Sequence, residues 1–338
     1  MSISTICKSQ PDSAPVVVMG QFDDIDVCAQ AIKHLKITAT QLTSGQFVGR
    51  VNLADLGSLK FTDVTYNQAM RIKGVKNPHR LGFTLPLQGN QTQVLAHGCS
   101  IKKHDLFGFD PTRENDMTTG KDAHLVVANL DLTVFQSLAE QMGYHDLGQK
   151  FLQQNSIHFH PASLRHLRAY YQQVSQMLIN QPSLLMESPA QSHIVENFLP
   201  LLMDTIGAAI RQKKPIIKTL RRYPIVKKAE EIAQSYIDKP LTLKQLCDAL
   251  ETSSSALCYG FQDIFGMSPM AYIKIQRLNG VRRALKNANP QTVMVMQVAH
   301  NWGFWSSGHF ARDYQQMFGE LPSETLRQQS QIRTNLKF

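Results

Sequence analysis

Histidines are the side chains in the N-terminal half of this chain that could do metal chemistry. They include His79, His97, His104, His124, His158 and His160. Two or three imidazoles with a carboxylate can hold a transition metal ion. However, no histidine pair has a glutamate at a matching spacing, and the second ring of His158-Phe-His160 precedes a helix start at Pro161. We interpret these histidines as core or surface residues, and we predict no metal and no cofactor.

Cysteine usage points to a reduced chain. The five cysteines are Cys7, Cys28, Cys99, Cys247 and Cys258. Their number is odd and no two form a CxxC pair, which argues against a disulfide scaffold and against a zinc finger. No stretch reaches the ~18 apolar residues of a membrane span, and the N-terminus lacks a signal-peptide pattern. We therefore predict a cytoplasmic protein without a membrane partner.

Basic side chains are concentrated in the C-terminal part. The chain of 338 residues has a formal net charge of +9, yet residues 1–209 hold 16 Lys and Arg against 17 Asp and Glu. Residues 210–338 hold 19 basic and 9 acidic residues. Such an asymmetry indicates that one part of the chain meets a polyanion and the other does not.

The elements that position these residues change character along the chain. Short runs with Gly-containing turns dominate from about residue 40 to residue 132, which favours a β-barrel or sandwich. After Leu132 the apolar residues recur with a helical period up to Ile210. We predict a disordered lead over residues 1–24, a β-rich domain with C-terminal helices over 25–210, a basic linker over 211–224 and an all-α domain over 225–330.

Cap signals resolve the all-α domain into individual helices. Thr242 and Gln245 form a capping box, Ser253 caps the next helix, and Ser268-Pro269 starts a long one. The pattern of two short helices with a tight turn predicts one helix-turn-helix at about 242–265 and a second at about 292–318. A linker helix at about 269–287 joins them, and Thr292 is expected to cap the helix that follows it.

This region resembles the DNA-binding domain of AraC-type (AraC/XylS family) transcription regulators. The matching residues include Phe265-Gly266-x-Ser268-Pro269, Val298-Ala299-x-x-Trp302-Gly303-Phe304 and Phe318-Gly319-x-x-Pro322-Ser323. The run Leu278-Asn-x-Val-Arg-Arg-x-Leu285 is similar to the ethanolamine-utilisation regulators of that family. The resemblance implies an α+β protein in which a cupin-like sensing domain precedes the DNA-binding domain.

The family's mode of binding places one helix of each motif in successive major grooves, which implies the residues that face DNA. The positions that match base-contacting ones are Ser255, Cys258, Tyr259, Ser307, Gly308, His309, Ala311 and Arg312. Arg312 is the one side chain among them whose fork suits guanine O6 and N7. The expected phosphate contacts are Lys227, Lys228, Lys244, Lys274, Arg282, Arg283 and Lys286. Arg277 is expected to be structural and Trp302 to lie in the core, whereas the place of Trp305 is left open.

The resemblance implies a transcription activator that binds promoter DNA and RNA polymerase, and whose N-terminal domain binds an unidentified small-molecule effector, forms homodimers, or does both. It is not expected to be an enzyme. One alternative is a cupin-type metal enzyme fused to a DNA-binding domain, which bound metal would favour. A fusion with a zinc-cysteine alkylation-repair module is disfavoured because the cysteines are not clustered. A general nucleoid binder is the remaining alternative, and strong preference for particular sequences would exclude it.

Overall fold

The computed structural model describes residues 17–32, 36–87, 93–211, 219–237 and 239–327, which fall into two compact units. The first unit contains the described residues up to Ala39 and Val48–Thr219. The second contains Thr40–Phe47 and the described residues from Leu220 onward. The predicted α+β architecture is confirmed, with strands in the N-terminal part and helices in the C-terminal part.

Two sheets form most of the first unit. Their described strands are β1 (Val17–Phe22), β2 (Lys36–Gln41), β3 (Gly49–Leu56), β4 (Leu59–Tyr66), β5 (Met70–Val75), β6 (Arg80–Pro86), β7 (Val94–Ala96), β8 (Cys99–Ile101), β9 (Asp105–Phe107), β10 (Asn115–Thr119), β11 (Ala123–Asp131) and β12 (Ser156–His158). One sheet has the order β1-β3-β4-β11-β6-β9-β12, and the other β2-β5-β10-β7-β8. Strands β3 and β4 join through a two-residue turn in which Gly57 has a φ of 79°, a conformation that favours glycine.

Helices cover the larger sheet and close the core of the first unit. They are α1 (Ile25–Ala31), α2 (Leu132–Gln141), α3 (Gln149–Leu152), α4 (Pro161–Asn180) and α5 (Ser188–Arg211). The Tyr171 hydroxyl on α4 donates to the Phe83 carbonyl on β6 at 2.9 Å. Phe198 of α5 lies edge-on to Phe61 of β4, with 5.0 Å between ring centroids. Burial of each such aromatic side chain contributes about 1.5–3 kcal/mol, which is why α4 and α5 stay against the sheet.

The second unit is helical. Its labelled helices are α6 (Tyr223–Ser235), α7 (Leu243–Ala249), α8 (Ser254–Phe265), α9 (Pro269–Asn287), α10 (Val295–His300) and α11 (Ser307–Phe318), and residues 322–327 are also helical. The bounds of α9 agree with the predicted linker helix. Gly280 in the middle of α9 lets the Trp302 ring approach the helix, because a Cβ at this position would lie 2.0 Å from the ring. Trp302 is half-buried and packs against the core of the second motif, so the core position expected for it is met in part.

A short segment from the N-terminal part of the chain belongs to the second unit. The Gln41 side-chain amide donates to the carbonyls of Thr43, Gly45 and Met317, at 2.6–3.1 Å. The Asn279 side chain on α9 accepts from the Gln41 backbone N–H and donates to its carbonyl, at 3.2 and 3.0 Å. Residues 40–47 are thus held by the helices of the unit that begins again at Leu220.

The structure corrects three local predictions. Residues 17–22 of the expected disordered lead form β1, paired with β3 from Val17 to Phe22; residues 1–16 lie outside the described residues. Helix α10 begins at Val295, so Thr292 does not cap it; the Thr292 hydroxyl instead faces the Asn289 carbonyl. The end of the predicted linker, from Tyr223, is already the first turn of α6.

Candidate nucleic-acid interface and N-terminal cavity

The first helix-turn-helix consists of α7 and α8. Thr242 and Gln245 form the predicted capping box, and the Ser253 hydroxyl accepts from the Ala256 N–H at 3.1 Å. Leu257 and Phe261 are buried, so they hold α8 against the rest of the unit. Ser255 and Tyr259 lie on the exposed face of α8, where Tyr259 is 61% exposed, and Cys258 is half-buried.

An arginine from outside α8 lies on this same exposed face. Arg222, at the start of α6, donates from Nη1 to the Asp263 carboxylate at 3.0 Å. Its guanidinium carbon is 5.4 Å from the centroid of the Tyr259 ring. Arg222 lies in the predicted basic linker, and nothing in its local sequence indicates a contact with Tyr259 or Asp263, which are 37 and 41 positions later in the chain.

The second helix-turn-helix consists of α10 and α11. Its N-cap residue, Ser306, makes no side-chain capping bond, and Phe310, Tyr314 and Phe318 bury the inner face of α11. The exposed residues of α11 include four predicted base contacts, and a fifth is half-buried. In order along the helix these five are Ser307, Gly308, His309, Ala311 and Arg312.

Arg312 has no carboxylate partner among the residues that the structure describes. The two acidic residues that could have paired with it are engaged elsewhere. Asp313 binds the Lys274 ammonium at 2.6 Å, and Glu320 binds the Arg282 guanidinium at 2.9 Å. The Arg312 guanidinium therefore stays on the exposed face of α11, available to an external ligand.

Three of the expected phosphate contacts have different surroundings. Arg282 is 8% exposed, pairs with Glu320 and stacks over the Phe318 ring at 5.3 Å, so burial removes it from any DNA-facing surface. Lys274 pairs with Asp313 on α11, so its ammonium is less available to bind a phosphate. Lys286 is half-buried and its Nζ is inaccessible to solvent.

The other four expected phosphate contacts are accessible. Lys228 and Lys244 are exposed, and Lys227 and Arg283 are half-buried. Arg277, expected to be structural, donates from Nη2 to the Tyr236 and Lys239 carbonyls at 2.9 and 2.7 Å. Its guanidinium thereby links α9 to the segment that follows α6.

Trp305 is 67% exposed, and its ring stacks on His300 with 5.3 Å between centroids.

The first unit contains a cavity between its two sheets. Apolar walls from residues such as Ile72, Phe107 and Leu125 surround a few polar groups. The Lys76 ammonium donates to the carbonyls of Gly108 and Asp110 at 2.8 and 2.9 Å, and burial lowers the pKa of Lys76 to about 8. The Thr62 hydroxyl and the Asn115 amide nitrogen are buried and have no hydrogen-bond partner in the described part of the chain, which makes them suited to a small polar ligand.

The N-terminal histidines do not converge on a metal site among the described residues. His124 Nε2 pairs with Asp63 at 2.8 Å and His158 Nδ1 with Asp105 at 2.6 Å, whereas His160 caps α4. Within the same described ranges, no helix is both long and apolar enough to cross a membrane.

Residues 246–328 match a family model described as a helix-turn-helix domain. This region is an AraC-type helix-turn-helix domain. The AraC-type domain therefore includes α8, α9, α10 and α11 with their exposed faces, and most of α7.

Three similar proteins carry regulatory names. A probable thc operon regulatory protein of Rhodococcus erythropolis is 38% identical over 143 residues, which are 42% of this chain and 42% of that protein. The XylDLEGF operon transcriptional activator 1 of Pseudomonas putida is 21% identical over 293 residues, 84% of this chain and 86% of that protein. A probable AraC family transcriptional regulator from Rhodopseudomonas palustris, known as a crystal structure, is 36% identical over 31% of this chain and 97% of that chain, with a TM-score of 0.29. The chain thus matches less than half the length of the first of these relatives.

Proposed function

We propose that this protein is a sequence-specific DNA-binding transcriptional activator. The observation that carries the proposal is the pair of exposed helix faces, on α8 and α11, that one AraC-type domain displays. A helix of this kind fits the major groove, where each base pair presents its own donor and acceptor pattern. Helix α9, about 28 Å long at 1.5 Å per residue, spaces the two motifs so that α8 and α11 read successive grooves.

The two recognition helices offer different chemistry to DNA. Helix α8 has no Lys or Arg, so Ser255, Tyr259 and DNA shape carry recognition at the first groove. Helix α11 presents Arg312, whose fork suits guanine. Lys227, Lys228, Lys244 and Arg283 are the phosphate contacts that their accessibility supports.

Selection from a library of random duplexes tests the proposal directly. The full chain is expected to enrich a motif with two half-sites about one helical turn, or 34 Å, apart. Binding is expected to weaken linearly in log–log salt titrations, by about 0.9 in slope for each phosphate contact. Binding without an enriched motif would favour a nucleoid-type binder and contradict the proposal.

We further propose that a small-molecule effector binds the cavity of the first unit. The buried donor on Asn115 and the Lys76 ammonium support a ligand that has an apolar body and at least one hydrogen-bond acceptor. Thermal shift of the full chain against a panel of small carboxylates, amides and alcohols tests this, with Asn115→Leu as the matched variant. If no ligand stabilises the wild-type chain, or if all do so equally in the variant, this site is wrong.

Several finer assignments belong to the same proposal. The inferred site of action is the cytoplasm, where promoter DNA lies, and homodimerisation and contact with RNA polymerase are inferred partners. The division into a sensing domain at 25–210, without residues 40–47 of the second unit, and a DNA-binding domain at 225–330 is likewise an inference. The likeness of Leu278–Leu285 to ethanolamine-utilisation regulators finds no counterpart among the named relatives above, so it assigns no effector.

A further inference from the structure

The first recognition helix, α8, carries an exposed carboxylate that DNA phosphates would repel. Helix α8 contains no Lys or Arg, and its exposed residues include the acidic Asp263. A carboxylate facing the phosphates is repelled unless a cation neutralises it. Arg222 supplies such a cation, since it pairs with Asp263 at 3.0 Å.

Packing fixes the position of the Arg222 side chain on α8. Gly260 is buried in α8, and a Cβ at this position would lie 2.8 Å from the Val226 side chain and 3.3 Å from the Arg222 Cβ. The first turn of α6 therefore rests directly on α8, and the Arg222 stem runs along the helix from Gly260. An isolated surface ion pair would hold the guanidinium only weakly, but the packing of the Val226 and Arg222 side chains on Gly260 does not depend on that pair.

The guanidinium is directed along the exposed face of α8. Tyr259 and Asp263 are four residues apart, so they lie one above the other on the same face. Arg222 contacts both, with its guanidinium carbon 5.4 Å from the Tyr259 ring centroid. The guanidinium has five N–H donors, and the bond from Nη1 to Asp263 leaves the fork with donors for another acceptor.

The position of Arg222 along α8 indicates which part of DNA its guanidinium would bind. Base edges are contacted mainly by the N-terminal residues of a recognition helix. Tyr259 and Asp263 are the sixth and tenth residues of α8, and Arg222 bonds to the later of the two, one turn beyond the last predicted base contact at Tyr259. A guanidinium at this level meets the sugar–phosphate backbone, and its planar fork matches a phosphate.

We propose that Arg222 is a further phosphate contact of the first helix-turn-helix, supplied from the start of α6 and held on α8 by Tyr259, Asp263 and the close approach at Gly260. The inference rests on the proposed function, because it requires that α8 enters a groove. It places a residue from the predicted linker in the DNA-binding surface.

The test compares neighbouring arginines in the full chain. In Arg222→Ala, the slope of log K against log salt is expected to be about 0.9 less steep than in the wild type. The affinity lost by the variant is therefore expected to be about eightfold greater at 0.1 M salt than at 1 M salt. The loss is expected to be equal for all enriched sequences, since a phosphate carries no base identity. Arg221→Ala is the matched control, because Arg221 is an exposed neighbour of the same charge. Arg222→Lys keeps the charge and is expected to restore most of the slope.

The outcomes separate this inference from the proposed function. If the wild-type chain enriches no motif, the proposed function fails before any variant is measured, and the inference fails with it. If the wild-type binds specifically but Arg222→Ala and Arg221→Ala have the same slope, Arg222 only joins α6 to α8 and the inference is wrong. Melting curves accompany each variant; if Arg222→Ala is unfolded, Arg222→Gln gives the same comparison with the stem retained.

Discussion

Arg312 is the residue whose substitution best tests sequence reading by the second helix-turn-helix. Its guanidinium is exposed on α11, and neither neighbouring carboxylate is available to it, because Asp313 binds Lys274 and Glu320 binds Arg282. Among the described residues, Arg312 therefore has no ion pair to break before it can bind a base. A bidentate contact with guanine contributes about 1–3 kcal/mol of discrimination. Arg312→Ala is thus expected to weaken binding to the preferred site by about 5- to 140-fold at 25 °C.

The assay is selection from a randomised duplex library at two salt concentrations, with wild-type and variant chains in parallel. Arg312→Ala is expected to relax one base pair and to leave the other preferred positions unchanged. Lys244→Ala is the control for a phosphate contact, because Lys244 is exposed and lies outside both recognition helices. It is expected to weaken all sequences alike and to lower the salt slope by about one. Arg312→Lys retains the charge but not the fork.

An even loss of affinity across every site in Arg312→Ala would refute the reasoning. Arg312 would then contact a phosphate, as Lys244 does in the control. Specificity in the second groove would in that case have to come from His309, Ser307 and DNA shape. Full discrimination in Arg312→Lys would also contradict a bidentate contact, because an ammonium cannot reproduce the two parallel bonds.

Three further predictions follow from packing and charge. Gly280→Ala is expected to lower the free energy of unfolding by about 1–3 kcal/mol in denaturant titrations, because the new methyl carbon would lie 2.0 Å from the Trp302 ring. Arg282→Ala is expected to cost about 3–5 kcal/mol of stability by the same measurement, since it removes the guanidinium that pairs with the Glu320 carboxylate in a largely buried site. A cavity ligand that accepts a hydrogen bond from Lys76 is expected to bind more tightly below pH 8 and more weakly above it, because Lys76 loses its proton as the pH rises through its pKa of about 8.

Each of these has a control within the chain. Gly308 also lies in a helix, but no atom lies within 4 Å of a Cβ built there, so Gly308→Ala is expected to stabilise the protein by up to about 1 kcal/mol. Arg283→Ala is the control for Arg282→Ala. Equal losses of stability in the two variants would contradict the importance of the buried pair between Arg282 and Glu320. Lys76→Met is expected to abolish the pH step of ligand binding; a step that persists would assign it to another group.

The sequence predicted the helical unit well because its signals are local. Capping box, N-cap serines and the glycine after α8 each act within four residues of the helix end that they define, so their spacing is readable in the chain. The prediction was wrong at Thr292, because Met294 takes the N-cap position and forms no side-chain bond there. The order of the strands in the two sheets depended on pairings such as β4 with β11, which no local signal encodes.

The individual site residues were less predictable than the helices that carry them. Both Arg282 and Arg312 were expected to face DNA from their positions in a helix. Tertiary contacts with Glu320 and Phe318 bury the first, whereas no such contact covers the second. Arg222 was missed for the complementary reason, since its partners lie on α8, in a different helix from its own.

The inclusion of residues 40–47 in the C-terminal unit has a consequence for how this protein can be divided. A fragment that starts at residue 220 lacks Gln41, so the buried Asn279 amide loses both of its bonds to the Gln41 backbone, and the Met317 carbonyl loses a donor. Exchange of DNA-binding domains between relatives by a single junction near residue 220 has the same defect, because the incoming helices meet a foreign segment at this position. A chimera that keeps these contacts needs three junctions, one on each side of residues 40–47 and one near residue 220. Recombination that moves the domain as one continuous stretch would each time have to replace the two hydrogen bonds that Asn279 on α9 makes with Gln41.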